Sequence, residues 1–221
     1  MPVAVDWTIE AVRQRHTYAF SWLGRPIIQM PADIVAVQEL IWRVKPDLIV
    51  ETGIAHGGSL VLYASILELL GSDRLAVGID VEIRPHNREA LDSHPMRKRI
   101  HLIERSSTDP EAIEEVRRLA KHWPRVMVML DSNHTHGHVL RELELFSPLV
   151  PKGSYLIAMD TIVEDFPARS FPDRPWDKGN NPKTAVREFL KTNRRFRVDH
   201  ALEDKLLISS NPEGFLECIA D

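Results

Sequence analysis

Short runs of Val, Ile and Leu alternate with helix-forming stretches along most of the chain, and this alternation constrains the fold more than any other feature. The strand-like runs are bounded by Gly, Pro, Asp or Asn, as strands in buried sheets are. Five of them lie at residues 47–51, 75–80, 100–104, 126–131 and 154–160, and helical patterns lie between them at 34–44, 59–70 and 110–122. Strands that alternate with helices predict a doubly wound α/β fold, in which a parallel sheet is covered on both faces and joined by right-handed crossovers.

The ends of these helices carry recognisable signals. Asp33 precedes the helical stripe at 34–44 and is the expected N-cap, and Pro46 stops that helix. Gly71 is expected to end the helix at 59–70, which is apolar on most faces and therefore buried against the sheet. Asp109 and Pro110 form the expected start of a surface helix.

The last part of the chain departs from the alternating pattern. Residues 195–199 and 205–209 are strand-like, and only a short connection containing Ala-Leu-Glu-Asp separates them. We therefore expect an antiparallel hairpin, which brings the sheet to seven strands, most of them parallel. A Rossmann-like parallel sheet with such a C-terminal hairpin is the layout of class I methyltransferases rather than that of dehydrogenases.

Length and composition predict one domain over residues 1–221. The chain has 221 residues, of which 43% are hydrophobic, enough for one well-buried core but few for two. Residues 1–45 are expected to form an N-terminal helical extension. Residues 164–181 are rich in Pro, Asp, Arg and Asn and contain three aromatic residues, so we expect a long loop that acts as a substrate lid.

Charge and cysteine content narrow the classes of partner. The net charge is −4 and the 28 Lys and Arg residues are spread along the chain, so no nucleic-acid partner is expected. The lone Cys218 cannot form an internal disulfide, which favours a reducing, cytoplasmic location.

No apolar run approaches the ~20 residues that cross a bilayer, so we expect an unprocessed protein without a membrane span. Trp7, Trp22 and the region of Ile27 are expected to offer a contact surface for a homo-oligomer.

The segment that follows the first predicted strand carries the signature of a nucleoside cofactor. It reads Ile-Val-Glu-Thr-Gly-Ile-Ala-His-Gly-Gly-Ser from residue 49 to residue 59, and it joins a strand to a helix where doubly wound sheets bind ligands. The dinucleotide motif Gly-x-Gly-x-x-Gly is absent. An acidic residue before a glycine turn instead suits a cofactor with an ammonium group and no pyrophosphate, namely S-adenosylmethionine. The expected cofactor residues in this loop are Glu51, Gly53, Ala55, Gly57 and Ser59.

Two further strand ends support a nucleoside. Asp80 ends the second strand, where a carboxylate can accept both hydrogen bonds of a ribose diol, although it would serve NAD as well as S-adenosylmethionine. Without the preceding loop, a turn aspartate would be the better interpretation of Asp80. Ser106 and Ser107 follow the third strand, where they could contact the adenine.

Acidic residues and a histidine are expected to meet at the same edge of the sheet. Asp131 and Asp160 end the fourth and fifth strands, whose carboxyl ends open on one side in a parallel sheet. Converging oxygen ligands predict a Mg²⁺ site completed by waters and substrate, and Asp131 would also lie beside the cofactor. Such an ion would lower the pKa of a substrate hydroxyl and orient it. His134 is placed to remove that proton as the catalytic base.

A different metal site is the alternative. Residues 134, 136 and 138 are all histidines, and imidazoles with a carboxylate would suit non-haem iron. We rank this interpretation lower, because alternating side chains on an extended segment point to opposite sides.

Several stretches together resemble the cephalosporin hydroxylase family of bacterial proteins along nearly the whole chain. They lie at residues 46–59, 130–134, 179–190 (GNNPKTAVREFL) and 203–215 (EDKLLISSNPEGF). The resemblance implies a class I methyltransferase fold, S-adenosylmethionine, and kinship with metal-dependent sugar O-methyltransferases. It also shows one departure, because family members often carry Glu-Asp where this chain has Met159 and Asp160. Thr161, Glu164 or Asp165 would have to compensate for the missing ligand, or metal binding would be weakened or lost.

The leading prediction is therefore an O-methyltransferase that acts on a hydroxyl of a small molecule. An oxygenase or its accessory protein, with iron at the histidine cluster, is the second hypothesis. A non-catalytic nucleoside-binding component of a biosynthetic complex is the third.

Overall fold

A mixed β-sheet with helices packed on both faces forms the centre of the protein. It is seen in a computed structural model that describes residues 2–71 and 73–221. The helices and strands of this part, in chain order, are α1 (Pro2–Arg13), β1 (Phe20–Trp22), β2 (Arg25–Ile27), α2 (Pro31–Val44), β3 (Leu48–Thr52), α3 (Gly58–Leu70), β4 (Leu75–Asp80), α4 (Pro85–Asp92), β5 (Ile100–Glu104), α5 (Pro110–Ala120), β6 (Val126–Leu130), α6 (His136–Phe146), β7 (Tyr155–Ala158), α7 (Pro182–Thr192), β8 (Phe196–Val198), α8 (His200–Leu206) and β9 (Phe215–Cys218). Short 3-10 helices lie at His16–Ala19, Arg97–Arg99, Ser147–Leu149 and Thr161–Asp165.

The predicted doubly wound sheet is confirmed. Among the described residues it has seven strands in the order β5-β4-β3-β6-β7-β9-β8. The pairs from β5 to β7 are parallel, whereas β9 runs antiparallel to both of its neighbours. The chain first winds outward from β3 to β5 and then restarts at β6 on the other side of β3. The loops after β3 and β6 therefore diverge, which leaves a crevice at that point of the sheet.

Side chains of β3 alternate between two apolar layers. Leu48 and Val50 pack with residues of α5, α6 and α7, whereas Ile49 packs with residues of α2 and α3. All three are fully buried, and burying each such side chain contributes roughly 1.5–3 kcal/mol. Because side chains alternate along a strand, Glu51 faces the same side as Ile49, toward α3.

Three of the predicted helix ends are confirmed and one is wrong. Helix α2 ends at Val44, with Lys45 as its C-cap directly before Pro46. Gly71 is the C-cap of α3, and the Asp109 carboxylate accepts a hydrogen bond from Glu111 N at the start of α5. Asp33 does not cap α2, which begins one turn earlier with Met30 as its N-cap. The Asp33 carboxylate is instead buried and accepts hydrogen bonds from Ser209 Oγ and Ser210 N. In the part of the chain that the structure describes, no helix has both the length and the apolar character that crossing a bilayer requires.

The C-terminal antiparallel pair is confirmed, but one of its predicted strands is wrong. Strand β8 pairs with β9 at Phe215–Cys218 rather than with residues 205–209, which include the end of α8. The cause is local: Asp199 Oδ1 accepts from Leu202 N and starts a helix where a hairpin turn was expected. Cys218 lies in β9 as a buried free thiol.

The N-terminal region contains a β-hairpin that the sequence did not indicate. Strands β1 and β2 pair only with each other within the described chain and pack on α3. Of the residues expected to offer a contact surface for an oligomer, Ile27 is buried, and Trp22 is partly buried with its Nε1 donating to Ser65 Oγ at 3.0 Å. Trp7 is 46% exposed.

Candidate active site

A cavity of about 580 Å³ opens at the crevice between the ends of β3 and β6. This volume is in the range of small-molecule sites. The cavity is bounded by the β2–α2 connection, by the loops after β3, β4, β5 and β6, by α6 and by one aromatic residue of the long loop. Its lining residues are Pro26, Ile27, Ile28, Gln29, Gly53, Ile54, Ala55, His56, Gly58, Ser59, Ile79, Asp80, Val81, Ser106, Ser107, Asp131, Ser132, Asn133, His138 and Trp176.

Glycines shape the loop at the end of β3. Gly53 has a φ of +86°, and a Cβ atom there would lie 2.1 Å from the carbonyl oxygen of Asp131. Gly57 has a φ of +78°, and its Cβ would clash with the Leu91 side chain. Gly53 therefore lets the ends of β3 and β6 touch, whereas Gly57 lies outside the cavity lining and positions the start of α3.

The same loop is braced from outside. The Arg25 guanidinium donates to the carbonyl of His56 at 2.6 Å and to Asn87 Oδ1 at 2.9 Å. Asn87 Nδ2 in turn donates to the carbonyl of Ala55 at 2.9 Å. Ala55 has a positive φ of 46°, which a residue other than glycine adopts at a cost, so these contacts hold a strained turn in place.

Glu51 lies beneath the cavity rather than in its wall. It is fully buried, and its carboxylate accepts hydrogen bonds from Ser59 Oγ at 2.8 Å and from Tyr63 Oη at 2.9 Å. Burial raises the pKa of Glu51 to about 8, opposed by the Ser59 hydrogen bond and reinforced by the charges of Asp131 and Asp80. Glu51 therefore holds Ser59, which does line the cavity, from beneath.

Asp80 lines the cavity and also supports the neighbouring loop. Its Oδ2 accepts from Ile54 N at 2.8 Å and its Oδ1 from Glu82 N at 3.2 Å. A carboxylate has about four acceptor positions, so two remain for a ribose diol. Ser106 lines the cavity beyond β5, with its hydroxyl 3.0 Å from that of Thr108.

The predicted acidic edge is assembled as expected from the parallel sheet. His134 Nε2 lies 3.3 Å from Asp131 Oδ1 and 3.3 Å from Asp160 Oδ2. One potential ligand atom from each of these three residues lies within 4.8 Å of the other two. Asp160 has a positive φ of 53°, and its amide donates to Asn211 Oδ1, so a strained backbone directs this carboxylate toward the site.

Burial and mutual charge govern the protonation of this group. Burial raises the pKa of Asp131 to about 6, while the hydrogen bond to His134 opposes the rise and the charge of Asp160 adds to it. Burial alone would lower the pKa of His134, but the hydrogen bond to Asp131 and the charges of Asp160 and Asp131 outweigh it and raise that pKa above its usual value.

The donor set fits a divalent cation. Two carboxylates and one imidazole converge from the ends of neighbouring strands, which is a pattern that binds hard or borderline ions. Met159 is buried in the apolar layer and offers no ligand. The residues expected to compensate are engaged elsewhere, because Thr161 Oγ1 donates to the carbonyl of Pro212 and Glu164 Oε2 accepts from Gly179 N.

Asp165 is engaged as well, in an ion pair with the buried Lys183. Among the described residues, Asp131 and Asp160 are therefore the carboxylates left to hold a cation, and His134 Nε2 lies beside both of them.

The three histidines of the alternative iron site are not brought together. His136 and His138 lie on α6 rather than on an extended segment, and His136 contacts Thr184 and Glu188 on α7. His138 Nε2 lies 3.0 Å from Ser107 Oγ. The separate contacts of His134, His136 and His138 give no support to a shared metal.

One polar group at the cavity was missed by the sequence analysis. Glu142 is fully buried, and its Oε1 accepts from Ser132 Oγ at 2.7 Å and lies 3.4 Å from His138 Nε2. Ser132 and His138 both line the cavity. The sequence does contain a sign of this buried group, because Glu142 interrupts an apolar helical stripe that includes Val139 and Phe146.

The expected lid loop reaches the site at one aromatic residue. Residues 166–181 connect the 3-10 helix at Thr161–Asp165 to α7. Trp176 lines the cavity and stands edge-on to His134, with ring centroids 4.8 Å apart. Glu164 fixes the far end of the loop, because its Oε2 accepts from both Gly179 N and Asn181 Nδ2.

The charge of the cavity is one-sided. Asp80 and Asp131 line it, and among the described lining residues none is Lys or Arg. A pyrophosphate would therefore meet carboxylates without a counter-charge, whereas a cationic ligand would offset them.

Solved structures with the same fold are methyltransferases. The cmcI-D160 Mg-SAM structure aligns with a TM-score of 0.61 and 20% identity, over 92% of this chain and 78% of that one. The MycE methyltransferase of the mycinamycin biosynthetic pathway, in complex with Mg, SAH and mycinamycin VI, aligns with a TM-score of 0.51 and 18% identity over 83% of this chain and 47% of that one. The fold is that of the S-adenosylmethionine-dependent methyltransferases.

Sequence comparison then gives the family. Residues 14–219 match the family described as rhamnosyl O-methyltransferase/CmcI. The rhamnosyl O-methyltransferase of Mycobacterium tuberculosis (strain ATCC 25618 / H37Rv) is 31% identical over 199 residues, which are 89% of this chain and 77% of that protein. The chain belongs to the rhamnosyl O-methyltransferase/CmcI family, which confirms the resemblance found in the sequence and identifies a methyltransferase.

Proposed function

We propose that this methyltransferase transfers the methyl group of S-adenosylmethionine to a hydroxyl of a small, sugar-like acceptor with the help of Mg²⁺. The acidic cavity at the ends of β3 and β6, with no Lys or Arg among its described lining residues, is the observation that carries the proposal. S-Adenosylmethionine brings a sulfonium and an ammonium charge to such a cavity, whereas NAD brings a pyrophosphate. The site therefore favours the cationic nucleoside.

The wall of the cavity accounts for the cofactor. Asp80 keeps acceptor positions for the ribose diol after supporting the Ile54 amide, and Ser106 lies where an adenine would follow. Ser59, held by its hydrogen bond to Glu51, lines the cavity at the other end of the loop. Gly53 allows the close approach of the β3 loop to the Asp131 backbone that a Cβ would prevent, which shapes this part of the wall.

Asp131 and Asp160 are the residues that would hold the metal. A Mg²⁺ ion bound there would lower the pKa of the acceptor hydroxyl and orient it toward the methyl group. His134 lies 3.3 Å from both carboxylates and receives the hydroxyl proton on Nε2. The acceptor oxygen forms a bond to the methyl carbon while the carbon–sulfur bond breaks. The electron pair of the broken bond stays on sulfur, which becomes the neutral thioether of S-adenosylhomocysteine.

An aromatic residue of the lid loop and the names of the relatives both indicate the chemical class of the acceptor. Trp176 gives the entrance beside His134 an aromatic wall, against which the face of a sugar ring can pack. The curated relatives are rhamnosyl O-methyltransferases, and one structure of similar fold holds mycinamycin VI. A hydroxyl on a glycosylated small molecule is therefore the proposed target, and the lone buried thiol Cys218 fits a reducing cytoplasmic setting.

Calorimetric titration tests the cofactor and kinetics test the base. S-Adenosylmethionine and S-adenosylhomocysteine should bind and NAD should not, since only NAD brings uncompensated phosphates to Asp80 and Asp131. His134→Asn should keep the affinity for S-adenosylhomocysteine within about threefold and lower turnover by about 10²-fold or more, as loss of a general base does. Tight NAD binding would overturn the cofactor proposal, and unchanged turnover would remove His134 from the mechanism.

One observation favours a second candidate, a non-catalytic nucleoside-binding component. Met159 is buried in the apolar layer at the position where the resemblance described above implies a carboxylate, which leaves two carboxylates for the metal. This candidate requires cofactor binding without methyl transfer. Release of S-adenosylhomocysteine in the presence of a panel of glycosylated acceptors and Mg²⁺ would exclude it.

A further inference from the structure

Gln29 is a buried polar side chain whose hydrogen-bonding capacity is unused. It is 7% exposed, and neither Oε1 nor Nε2 has a hydrogen-bond partner among the described residues. An amide offers two donors and one acceptor oxygen, and leaving such groups unpaired in a protein interior is costly. Gln29 also lines the cavity of the candidate active site, so a bound ligand can satisfy it.

The surroundings of Gln29 indicate which part of a ligand it meets. Burial raises the pKa of the neighbouring Tyr63 phenol and a polar contact with the Gln29 side chain opposes that rise, but the two side chains do not meet the geometry of a full hydrogen bond. Tyr63 and Ser59 both donate to Glu51, so this end of the cavity has a buried carboxylate behind two hydroxyls. The opposite side, with Asp80 and Ser106, is the one proposed to hold ribose and adenine.

We infer that Gln29 recognises the α-amino acid end of S-adenosylmethionine. Its Oε1 accepts a hydrogen bond from the ammonium group, and its Nε2 donates one to the carboxylate. An amide suits this zwitterion because it offers an acceptor and a donor side by side without a charge that would repel either group. The inference rests on the proposed function and adds a binding residue outside the glycine loop.

The β1–β2 hairpin is what brings Gln29 to the cavity. Gly58, the first residue of α3, has no side chain, and a Cβ there would lie 2.2 Å from the carbonyl oxygen of Pro26. The hairpin can therefore lie directly on the start of α3, and Ile27 is buried by this contact. Gln29 follows two residues later, immediately before α2.

The binding of two ligands distinguishes recognition of the amino acid end by Gln29 from a general structural role of Gln29 in the cavity. S-Adenosylhomocysteine carries the amino acid end, whereas methylthioadenosine has the same nucleoside and sulfur without it. We expect Gln29→Ala to raise the Kd for S-adenosylhomocysteine at least about tenfold, since hydrogen bonds to charged groups are lost. The Kd for methylthioadenosine should change less than about twofold. Gln29→Glu, which keeps the shape but repels the ligand carboxylate, should weaken S-adenosylhomocysteine further.

Val81→Ala provides the matched control. Val81 also lines the cavity, beside Asp80, so this change should alter the Kd of both ligands by the same factor. Thermal unfolding of each variant identifies any that fail to fold, and Gln29→Leu keeps the volume if Gln29→Ala is unstable. An equal loss for both ligands in the Gln29 variants would overturn the inference while leaving the proposed function intact. Failure of the wild-type protein to bind either ligand would instead overturn the proposed function.

Discussion

At the scale of single residues, three carboxylates in and around the site are buried without a full complement of positive charge. Burial raises the pKa of Asp33 to about 7, that of Glu51 to about 8 and that of Asp131 to about 6. Each is hydrogen-bonded, which keeps it in place but does not offset its desolvation. The native state is therefore less stable near neutral pH than these contacts alone would make it.

Asp33 gives a test of this cost away from the cavity. Its folded-state pKa of about 7 lies above the ordinary value of 3.8, so the unfolded chain releases the proton first as the pH rises. Wild-type stability relative to Asp33→Asn should be greatest below pH 4 and fall by up to ~4 kcal/mol between about pH 4 and pH 7. Urea unfolding of both proteins across this range measures the difference. A difference that does not change with pH would show that Asp33 is ionised in the folded protein.

Gly58 gives a second test at this scale. Gly58→Ala places a Cβ against Pro26 and should cost about 1–3 kcal/mol of stability, as overpacking does. It should also weaken S-adenosylhomocysteine binding, because β2 moves with Gln29. Gly137→Ala is the control, since nothing lies within 4 Å of a Cβ there, and its stability should stay within about 0.5 kcal/mol. Equal effects of the two substitutions, by calorimetry and urea unfolding, would contradict the close contact.

Some residues were predictable from sequence because topology alone places them. Asp131 and Asp160 end parallel strands, so they must meet at one edge, and His134 follows close behind. Glu51 was expected to touch the cofactor, but the side on which it faces is set by the packing of α3. Gln29 had no sequence signal, because its position depends on a hairpin seated on a glycine that is distant along the chain.

At the scale of elements, the long loop and the first helix form one unit. Ile9 and Val12 of α1 pack against Ile162, Phe166 and Phe171, at the base of the loop that carries Trp176. The family match begins at residue 14, after α1. Helix α1 therefore packs against the base of the lid, N-terminal to the residues that match the family.

Weakening this contact should loosen the lid. Ile9→Ala removes buried apolar contacts beneath Phe166, and we expect faster trypsin cleavage after Arg169 and Lys178, which are exposed in the loop. A several-fold increase in cleavage rate corresponds to about 1 kcal/mol of lost local stability. Mass spectrometry of timed digests locates the cuts.

The control for this experiment is Val35→Ala, on the exposed face of α2. It should leave the loop cleavage rate unchanged. Equal cleavage of wild type and Ile9→Ala at these two sites would show that α1 does not hold the lid, and cuts throughout the chain would indicate global unfolding instead.

The elements that were predicted well are those whose pattern is long and whose ends are marked. Strand β4 and the cap of α5 follow directly from apolar runs and from Asp109. The second C-terminal strand was misplaced, because residues 205–209 are apolar enough for a strand, yet Asp199 starts a helix just before them. Residues 205–209 could have formed a strand, but the place beside β7 is taken by β9. The helix that begins after the Asp199 cap therefore persists.

At the scale of the whole molecule, the cavity joins parts of the chain that have little else in common. The hairpin of β1 and β2 shares no strand pairing with the central sheet in the described chain and is attached through α3. The opposite walls come from the ends of β3, β4, β5 and β6. A ligand in the cavity therefore bridges the hairpin and the sheet, and its binding energy opposes separation of the two.

Hydrogen exchange should reveal this bridging. At a free S-adenosylhomocysteine concentration of 100 times Kd, any opening that destroys the site is disfavoured by ~2.7 kcal/mol, or about 100-fold. Amides of Phe20–Trp22 and those of Arg25 and Ile27 should slow by up to this factor, because the hairpin cannot leave α3 without breaking the cavity. Amides of α8 that exchange by local fraying should be unaffected, since α8 does not line the cavity. Unchanged exchange in the hairpin with the ligand bound would mean that the hairpin opens without loss of the ligand, and the coupling of the N-terminal region to the site would then be wrong.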